Sequence, residues 1–404
     1  MKRVVVVGCG FPQLSLIRAA KRRGFHVIGA DMNPRAVAVP LCDEFHEVST
    51  TDVAGLGALL GRVRADALTT TGSEAALRAT ADVASRHRFP FYADPDTVRS
   101  CQDKDAMRAA YAAGGVAVPE FARCASLDEA RAFAREHGFP LVVKPSRGWG
   151  QRGVARVEDD VELASAFEEA RAHSASVGHA VVMVESWLEG REYSVNGWIE
   201  EGRLVSYCVT ERLTVPGRKP LGVMLAEVYP SGLSPADEAR VVDEARRGAA
   251  ALGHVRGPCY SQVALGPAGC VLFETAARLG GGFDADVTRL ASGVDLYDRV
   301  LGVAVEDAAL ERQGAVSARH GGAVAKFLVA RPGAVRSVAG LAEARALPGV
   351  DDAEVFVPAG GHVLPLTDSA KRAAYVLSHG TTRDEALAHA DAALALIRID
   401  TEAT

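Results

Sequence analysis

A lysine runs into a glycine-rich loop, and carboxylates and an arginine follow far downstream. This arrangement carries the sequence's chemical potential. The stretch is Leu141-Val-Val-Lys-Pro-Ser-Arg-Gly-Trp-Gly-Gln-Arg-Gly-Val154. A β-type apolar run ends in Lys144 and Pro145. Ser146, Gly148, Gly150 and Gly153 follow, with Arg147, Trp149, Gln151 and Arg152 between them. Glycines let backbone N–H groups turn towards an anion with no side chain in the way. A lysine leading into the loop can reach the same anion as a point charge. The segment reads as a lid over nucleotide phosphates. Taken alone, it reads equally well as a β-hairpin turn with a surface lysine. It is not a P-loop, because no Gly-Lys-Ser/Thr follows.

Three further pieces give the loop a context. Gln102-Asp103-Lys104 heads a helix before it. After it comes Val181-Val-Met-Val-Glu185-Ser-Trp-Leu-Glu-Gly190-Arg-Glu192. Later come Ser261-Gln262-Val263 and Leu272-Phe-Glu274-Thr-Ala-Ala-Arg278-Leu-Gly280-Gly-Gly282. Lys104 and Lys144 can hold the α- and β-phosphates. A strand ending in Glu185 and passing through Trp187 and Leu188 offers backbone groups to an adenine edge and an apolar wall to its face. Glu192 can accept hydrogen bonds from ribose hydroxyls. Gln262 and Glu274 fall on what read as adjacent antiparallel strands joined near Gly266-Pro267, so both can serve one Mg²⁺ (or Mn²⁺), a hard cation that takes oxygen ligands. Arg278 can stabilise a phosphoryl group in transfer or an acyl phosphate. Singly, each residue has a plain structural reading, such as a solvated helix lysine or a strand end. Their order and spacing favour the functional one.

The elements that must position these groups follow from local pattern. Arg3 to Val7 reads as a buried parallel strand, Gly8-Cys-Gly10 as a turn, Leu14 to Lys21 as a helix and Phe25 to Ala30 as a second strand closed by Asp31. Gln13 stands where the third glycine of a dinucleotide fingerprint would be, so a Rossmann-like domain without NAD fits better than an NAD site. Residues 95–115 read as helical, ending at Gly114-Gly115. Ser126-Leu-Asp-Glu129 and Thr382-Arg-Asp-Glu385 are capping boxes, and Ser234-Pro235 opens a long helix. The expected domains are a Rossmann-like unit over 1–93, a central unit over 94–305 with a lid lobe at about 122–190, and a C-terminal lobe over 306–404.

Composition excludes other classes. The net charge of −6 leaves no excess of lysine and arginine for nucleic acid. The seven cysteines are scattered and form no CxxC pair, which suits reduced thiols and a cytoplasmic location. No apolar run is long enough for a membrane span, and the short run after Met1 reads as a buried strand rather than a signal peptide.

The four pieces together resemble the ATP-grasp superfamily, and the resemblance covers nearly the whole chain. It rests on Asp103-Lys104, Val143-Lys144-Pro145, Val184-Glu185 with Gly190-x-Glu192, and Phe273-Glu274 with Arg278-Leu-Gly-Gly. The tail from Ala374 to Ala386 is similar to the C-terminal lobe of the biotin-carboxylase-like branch. The implied fold is mixed α/β and α+β, with a Rossmann-like pre-ATP-grasp domain, lid and catalytic lobes and a C-terminal α+β lobe. Two positions depart from the family pattern. Gln262 stands where many members have glutamate, and Ala276-Ala277 replaces a common Asn-Pro, which removes one metal ligand. Water, a substrate phosphate or a nearby acid such as Asp286 could fill that place.

The resemblance implies an ADP-forming carboxylate–amine ligase working through an acyl phosphate, with ATP and Mg²⁺ and with an amino acid as one substrate. The expected partners are a small carboxylate and an amine, and a homodimer is compatible with this. Lys144 and Arg278 would be the catalytic residues. Glu227, Arg212 and Lys219 lie where substrates often bind, although a charged surface strand explains them equally. The alternatives are a bicarbonate-phosphorylating carboxylase-type enzyme, a non-catalytic nucleotide-binding protein suggested by Ala276, and an NAD-dependent oxidoreductase resting on Gly8-Cys-Gly10 alone.

Overall fold

The computed structural model describes residues 1–148, 150–312 and 319–402. Its first unit is a parallel four-stranded sheet in the order Glu44–Glu47, His26–Asp31, Arg3–Val7, Ala67–Thr69. Val4 to Val7 are fully buried, because helices cover both faces of the sheet and an unbroken apolar strand suits that position. The glycine turn after the first strand is filled from within. A Cβ on Gly8 would stand 2.8 Å from the Gln13 side chain, whose Nε2 donates to the Thr71 carbonyl at 2.6 Å. Asp31 accepts from the Cys9 N–H at 2.8 Å. The Gln13 side chain thus occupies the glycine turn, and the Asp31 carboxylate is turned onto the Cys9 main chain.

The helical segment 95–115 is two helices, Pro95–Gln102 and Lys104–Ala113, the second starting at the expected Gln102-Asp103-Lys104 head. Asp103 between them has extended backbone (φ −91°, ψ 99°), and its carboxylate takes Arg147. The break sets Lys104 at a helix start facing the loop. Next is a small lobe with an antiparallel sheet in the order Phe121–Cys124, Val182–Ser186, Leu141–Pro145, Ala155–Val157. Helices Leu127–His137 and Asp160–Ser176 pack on it around Phe133, Phe167, Leu141 and Val143. The capping box forms as read: Ser126 Oγ accepts from Glu129 N–H, and Glu129 accepts from Ala125 N–H.

The main body is an eight-stranded antiparallel sheet. Its order is Gly269–Ala276, Gly257–Gly266, Arg191–Glu200, Arg203–Thr214, Met224–Tyr229, Gly322–Leu328, Ala374–Gly380, Val350–Val355. The sheet passes across residue 305 without a break, because Met224–Tyr229 pairs directly with Gly322–Leu328. The C-terminal lobe is therefore an extension of the catalytic sheet, not a detached body. It adds helix Arg383–Leu396 and a small sheet of His362–Val363, Gly333–Ala339 and Arg398–Glu402. Thr382 caps that helix by accepting from Glu385 N–H. Among the described residues no helix is long and apolar enough to cross a membrane.

Candidate active site

A cavity of about 430 Å³ lies between the small lobe, the large sheet and the first unit. Its floor is a buried charge cluster. Lys144 and Glu185 sit on paired strands, and Lys144 Nζ is 2.6 Å from Glu185 Oε2. Arg108 Nε donates to the other oxygen at 2.8 Å, and its Nη1 donates to the Phe273 carbonyl at 2.7 Å. Burial pulls Lys144 down to about 8, although Glu185 opposes this. Burial would raise Glu185, yet Arg108 and Lys144 hold it at about 2. Two cations on one carboxylate leave a net positive charge beneath the cavity. The carboxylate of Glu185 is consumed here, so only its backbone is left for a ligand.

The glycine loop covers one side. Gly148, Gly150, Gln151 and Arg152 line the cavity, and Lys104 Nζ donates to the Gly148 carbonyl at 2.6 Å. Gly148, Gly150 and Gly153 have φ of +155°, +73° and +67°, a region that other residues enter at a cost. Two expected ligand-binding residues do not reach the cavity wall. Ser146 is fully buried and donates to Asp105 at 3.1 Å. Gly153 is needed for packing, since a Cβ there would stand 2.7 Å from the His173 ring. Arg147 is likewise turned away, bidentate on Asp103 at 2.6 and 2.7 Å. Trp149 lies outside the described residues.

The opposite wall comes from the large sheet. Gln262 and Glu274 are direct cross-strand partners, and both line the cavity. Gln262 Nε2 donates to Glu192 at 2.7 Å, which leaves its amide oxygen free. Glu192 also meets Arg212 Nε at 3.4 Å. Trp187 and Leu188 line the cavity near the small lobe, and the Arg156 guanidinium lies 4.4 Å from the centre of the Trp187 ring. Arg278 is buried, with Nε donating to Glu74 Oε1 at 2.6 Å and the guanidinium 5.4 Å from the centre of the Tyr260 ring.

Several expectations move. Asp286 does not line the cavity. It is buried against Tyr297 OH at 2.7 Å, and burial raises it to about 6. Asp284 lines the cavity instead; two residues apart on a helix is about 200° around the axis. Lys219 is exposed and pairs with Glu169 on the small lobe's outer helix. Arg212 does line the cavity, with Glu227 fully buried behind it at 3.1 Å. Burial and Asp284 push Glu227 up to about 8 against the pull of Arg212. The sequence reading missed Arg108, Glu74, Tyr260, Asp284 and Arg372. Only Arg108 had a local signal, standing one helical turn after Lys104.

The model of the carbamoyl-phosphate synthase large-chain ATP-binding domain matches residues 103–311, more than half of the chain. This chain belongs to that family and to the ATP-grasp superfamily. A second model, the L-amino acid ligase C-terminal domain 2, matches residues 326–402. The chain is 28% identical over 380 residues to the uncharacterized protein y4rH of Sinorhizobium fredii, covering 92% of this chain and 77% of that one. It is 25% identical over 214 residues to the carbamoyl phosphate synthase large chain of Thermus thermophilus, covering 48% of this chain but only 21% of that protein. The L-amino acid ligase from Bacillus licheniformis has the same fold, with a TM-score of 0.82 at 19% identity over 100% of this chain and 99% of that one. With its relatives, the chain is an ATP-grasp ligase of the carbon–nitrogen bond-forming type.

The residues present suit the nucleotide and cation that such enzymes use. The floor is cationic, and the loop is held open to backbone donors by its glycines. Among the described residues no cluster of three or more His, Cys, Asp or Glu could hold a metal. The Gln262 and Glu274 oxygens alone fit a hard cation whose remaining ligands are phosphate or water.

Proposed function

We propose that this protein is an ADP-forming carboxylate–amine ligase that makes an amide through an acyl phosphate, with an amino acid as one substrate. The observation that carries the reading is the position of Arg278. It is buried, fixed by Glu74 and Tyr260, and shares one cavity with the Lys144 floor and the opposed Gln262 and Glu274. The C-terminal match to L-amino acid ligases supports the choice of substrate class.

In this reading Lys144 and Lys104 bind phosphate oxygens, and the loop residues Gly148 and Gly150 offer backbone N–H groups. Main-chain groups of Glu185 to Leu188 meet the base, and Glu192 meets the ribose. Gln262 and Glu274 hold Mg²⁺, which neutralises phosphate charge when bound. A substrate carboxylate oxygen attacks the γ-phosphorus, and ADP leaves with the electrons of the broken P–O bond. The amine then attacks the acyl carbon, phosphate leaves, and the amine loses a proton. Arg278 faces charge that grows in both steps, and being fixed in advance it need not reorganise. Loop closure keeps water from the acyl phosphate.

The test is incubation with ATP, Mg²⁺ and pools of carboxylic and amino acids, with ADP and phosphate measured and hydroxylamine added to trap acyl phosphate as hydroxamate. Carboxylate-dependent ADP and hydroxamate are expected. AMP and pyrophosphate as products would refute the mechanism, and ATP binding without turnover would favour a non-catalytic role.

A further inference from the structure

The cavity extends beyond Arg278 to an end built by the first unit and the C-terminal lobe. There it is walled by Phe11, Pro12, Met224, Asp284 and Arg372. Arg372 is only 3% exposed. Its guanidinium lies 3.6 Å from the centre of the Phe327 ring. Its hydrogen-bond acceptors are two main-chain carbonyls, Ser369 at 2.7 Å and Met224 at 3.3 Å. Among the described residues no carboxylate forms an ion pair with it. Carbonyls and an aromatic face satisfy donors without neutralising the charge, and a buried cation lacking a counter-ion is costly. Burial and the nearby Arg212 accordingly draw Arg372 down to about 9, against Asp284, Glu227 and Asp368.

Asp284 presents the complementary need. It is 2% exposed. Its Oδ2 accepts from the Gly282 N–H at 3.1 Å, but its Oδ1 is buried with no hydrogen-bond partner. One wall of the cavity thus holds a guanidinium lacking an anion and a carboxylate oxygen lacking a donor.

We propose that Arg372 and Asp284 bind the acceptor substrate as an amino-acid zwitterion, its carboxylate on Arg372 and its amino group on Asp284. The inference rests on the ligase reading. An amino acid held in this way keeps its carboxylate out of the reaction, and its ammonium group becomes the nucleophile once it has given a proton to the Asp284 carboxylate. A phosphate dianion suits the site less, because Asp284 and Asp368 stand near Arg372 and the neighbouring Arg212 is already paired with Glu192 and Glu227.

The same short segment also clasps the lid. Ser369 N–H donates to the Gly150 carbonyl at 3.1 Å, and its hydroxyl meets Gln151 Oε1 at 2.5 Å. Asp368 stands 3.6 Å from Arg152, and the Ser369 carbonyl is the one that takes Arg372 Nε. The turn that carries Arg372 is thus the one that contacts the glycine loop.

The test compares acceptors, using the donor carboxylate found in the pool assay. The wild-type enzyme is given the amino acid, its α-amide, the decarboxylated amine, a phosphorylated amine and hydroxylamine. The amino acid should exceed its amide in kcat/KM by about 100-fold, the scale of one buried charged hydrogen bond. In R372M, R372K and D284N, the ratio of kcat/KM for the amino acid to that for hydroxylamine should fall by a similar factor, mainly through acceptor KM. Melting curves and MgATP binding check that each variant folds. The acceptor site is refuted if the amide matches the acid, if the phosphorylated amine is preferred, or if the ratio in folded R372M is unchanged. Absence of carboxylate-dependent hydroxamate in the wild type would instead overturn the ligase reading, and this inference with it.

Discussion

Replacing Glu185 with glutamine tests the floor of the cavity most directly. The carboxylate joins Lys144 at 2.6 Å and Arg108 at 2.8 Å, with all three side chains buried. Glutamine keeps the shape but leaves two cations with no anion between them. Removing one partner of a buried ion pair costs about 3–5 kcal/mol. Little of this is screened, because the cluster is away from solvent. The expected loss in urea unfolding is therefore about 3–5 kcal/mol with an unchanged m-value. A second readout separates this from general damage. Burial already holds Lys144 at about 8 with Glu185 opposing, and without Glu185 it must fall further. Wild-type MgATP affinity should then weaken only as pH rises through about 8, whereas in E185Q the break moves to lower pH. At neutral pH, losing the lysine's charge should weaken binding by about 10- to 100-fold, the worth of one charged hydrogen bond. Isothermal titration across pH gives both curves. Stability within about 0.5 kcal/mol of wild type, or coincident pH profiles, would refute the account.

Acid stability carries the opposite sign for Glu185 itself. Its folded value of about 2 lies below its unfolded value of about 4.3, so its contribution is present above about pH 4.3 and lost as pH falls towards 2; denaturant curves at graded pH should show this slope in the wild type and less of it in E185Q. Glu274→Ala and Arg278→Ala should each lower kcat by about 10²–10³-fold, or about 2–4 kcal/mol, in the hydroxamate assay; wild-type turnover in either would show the metal or transfer site to be elsewhere. Glu74→Gln should lower kcat with little change in the KM for ATP, because Glu74 fixes Arg278; equal loss in kcat of a Glu74→Gln, Arg278→Ala double variant and of Arg278→Ala alone would mark the two as one unit, and additive losses would separate them. Lys219→Ala removes only an exposed pair with Glu169, and both melting temperature and turnover should stay at wild-type values.

What could be read from the sequence was what is local. Ser126 with Glu129, and Thr382 with Glu385, announce helix starts because cap and partner lie within one turn. Gln262 and Glu274 could be placed on adjacent strands because a short turn near Gly266 joins them, but that turn's register sets Gln262 opposite Phe273, and only an irregularity between Gln262 and Val263 brings Glu274 across from it. Lys144, Gly148 and Gly150 stood out as a lysine running into a glycine-rich loop, but only the motifs before and after that loop favoured a nucleotide lid over a hairpin turn. The helix start at Lys104 was legible in Gln102-Asp103-Lys104, but not what holds it to the loop: Arg147 on Asp103 and the Ser146 carbonyl on Lys104 N–H come from more than forty residues away. Glu74 reads as an ordinary first-turn acid, and only the fold brings it to Arg278 across 204 residues. Asp286 could be named as a nearby acid and Asp284 was missed, because spacing names a neighbourhood but not a helix face.

Three of the parts that could not be read share one property: each belongs to a segment whose partner is another domain. Glu74 comes from the first unit, Arg108 from the helix before the lid, and Arg372 from the C-terminal lobe. Each meets a residue of the motif-bearing strands or loop: Arg278, Glu185 with the Phe273 carbonyl, and, through Ser369, Gly150 with Gln151. The motif residues supply the groups that a nucleotide and a cation require in any enzyme of this fold. The outlying residues set how those groups are held and what else can enter the cavity. Under the proposed function, phosphate and Mg²⁺ chemistry is encoded in short strings, whereas choice of acceptor would depend on where the Asp368–Arg372 turn is carried by the sheet. Because that turn also clasps the lid, a substitution there should alter acceptor choice and loop closure together.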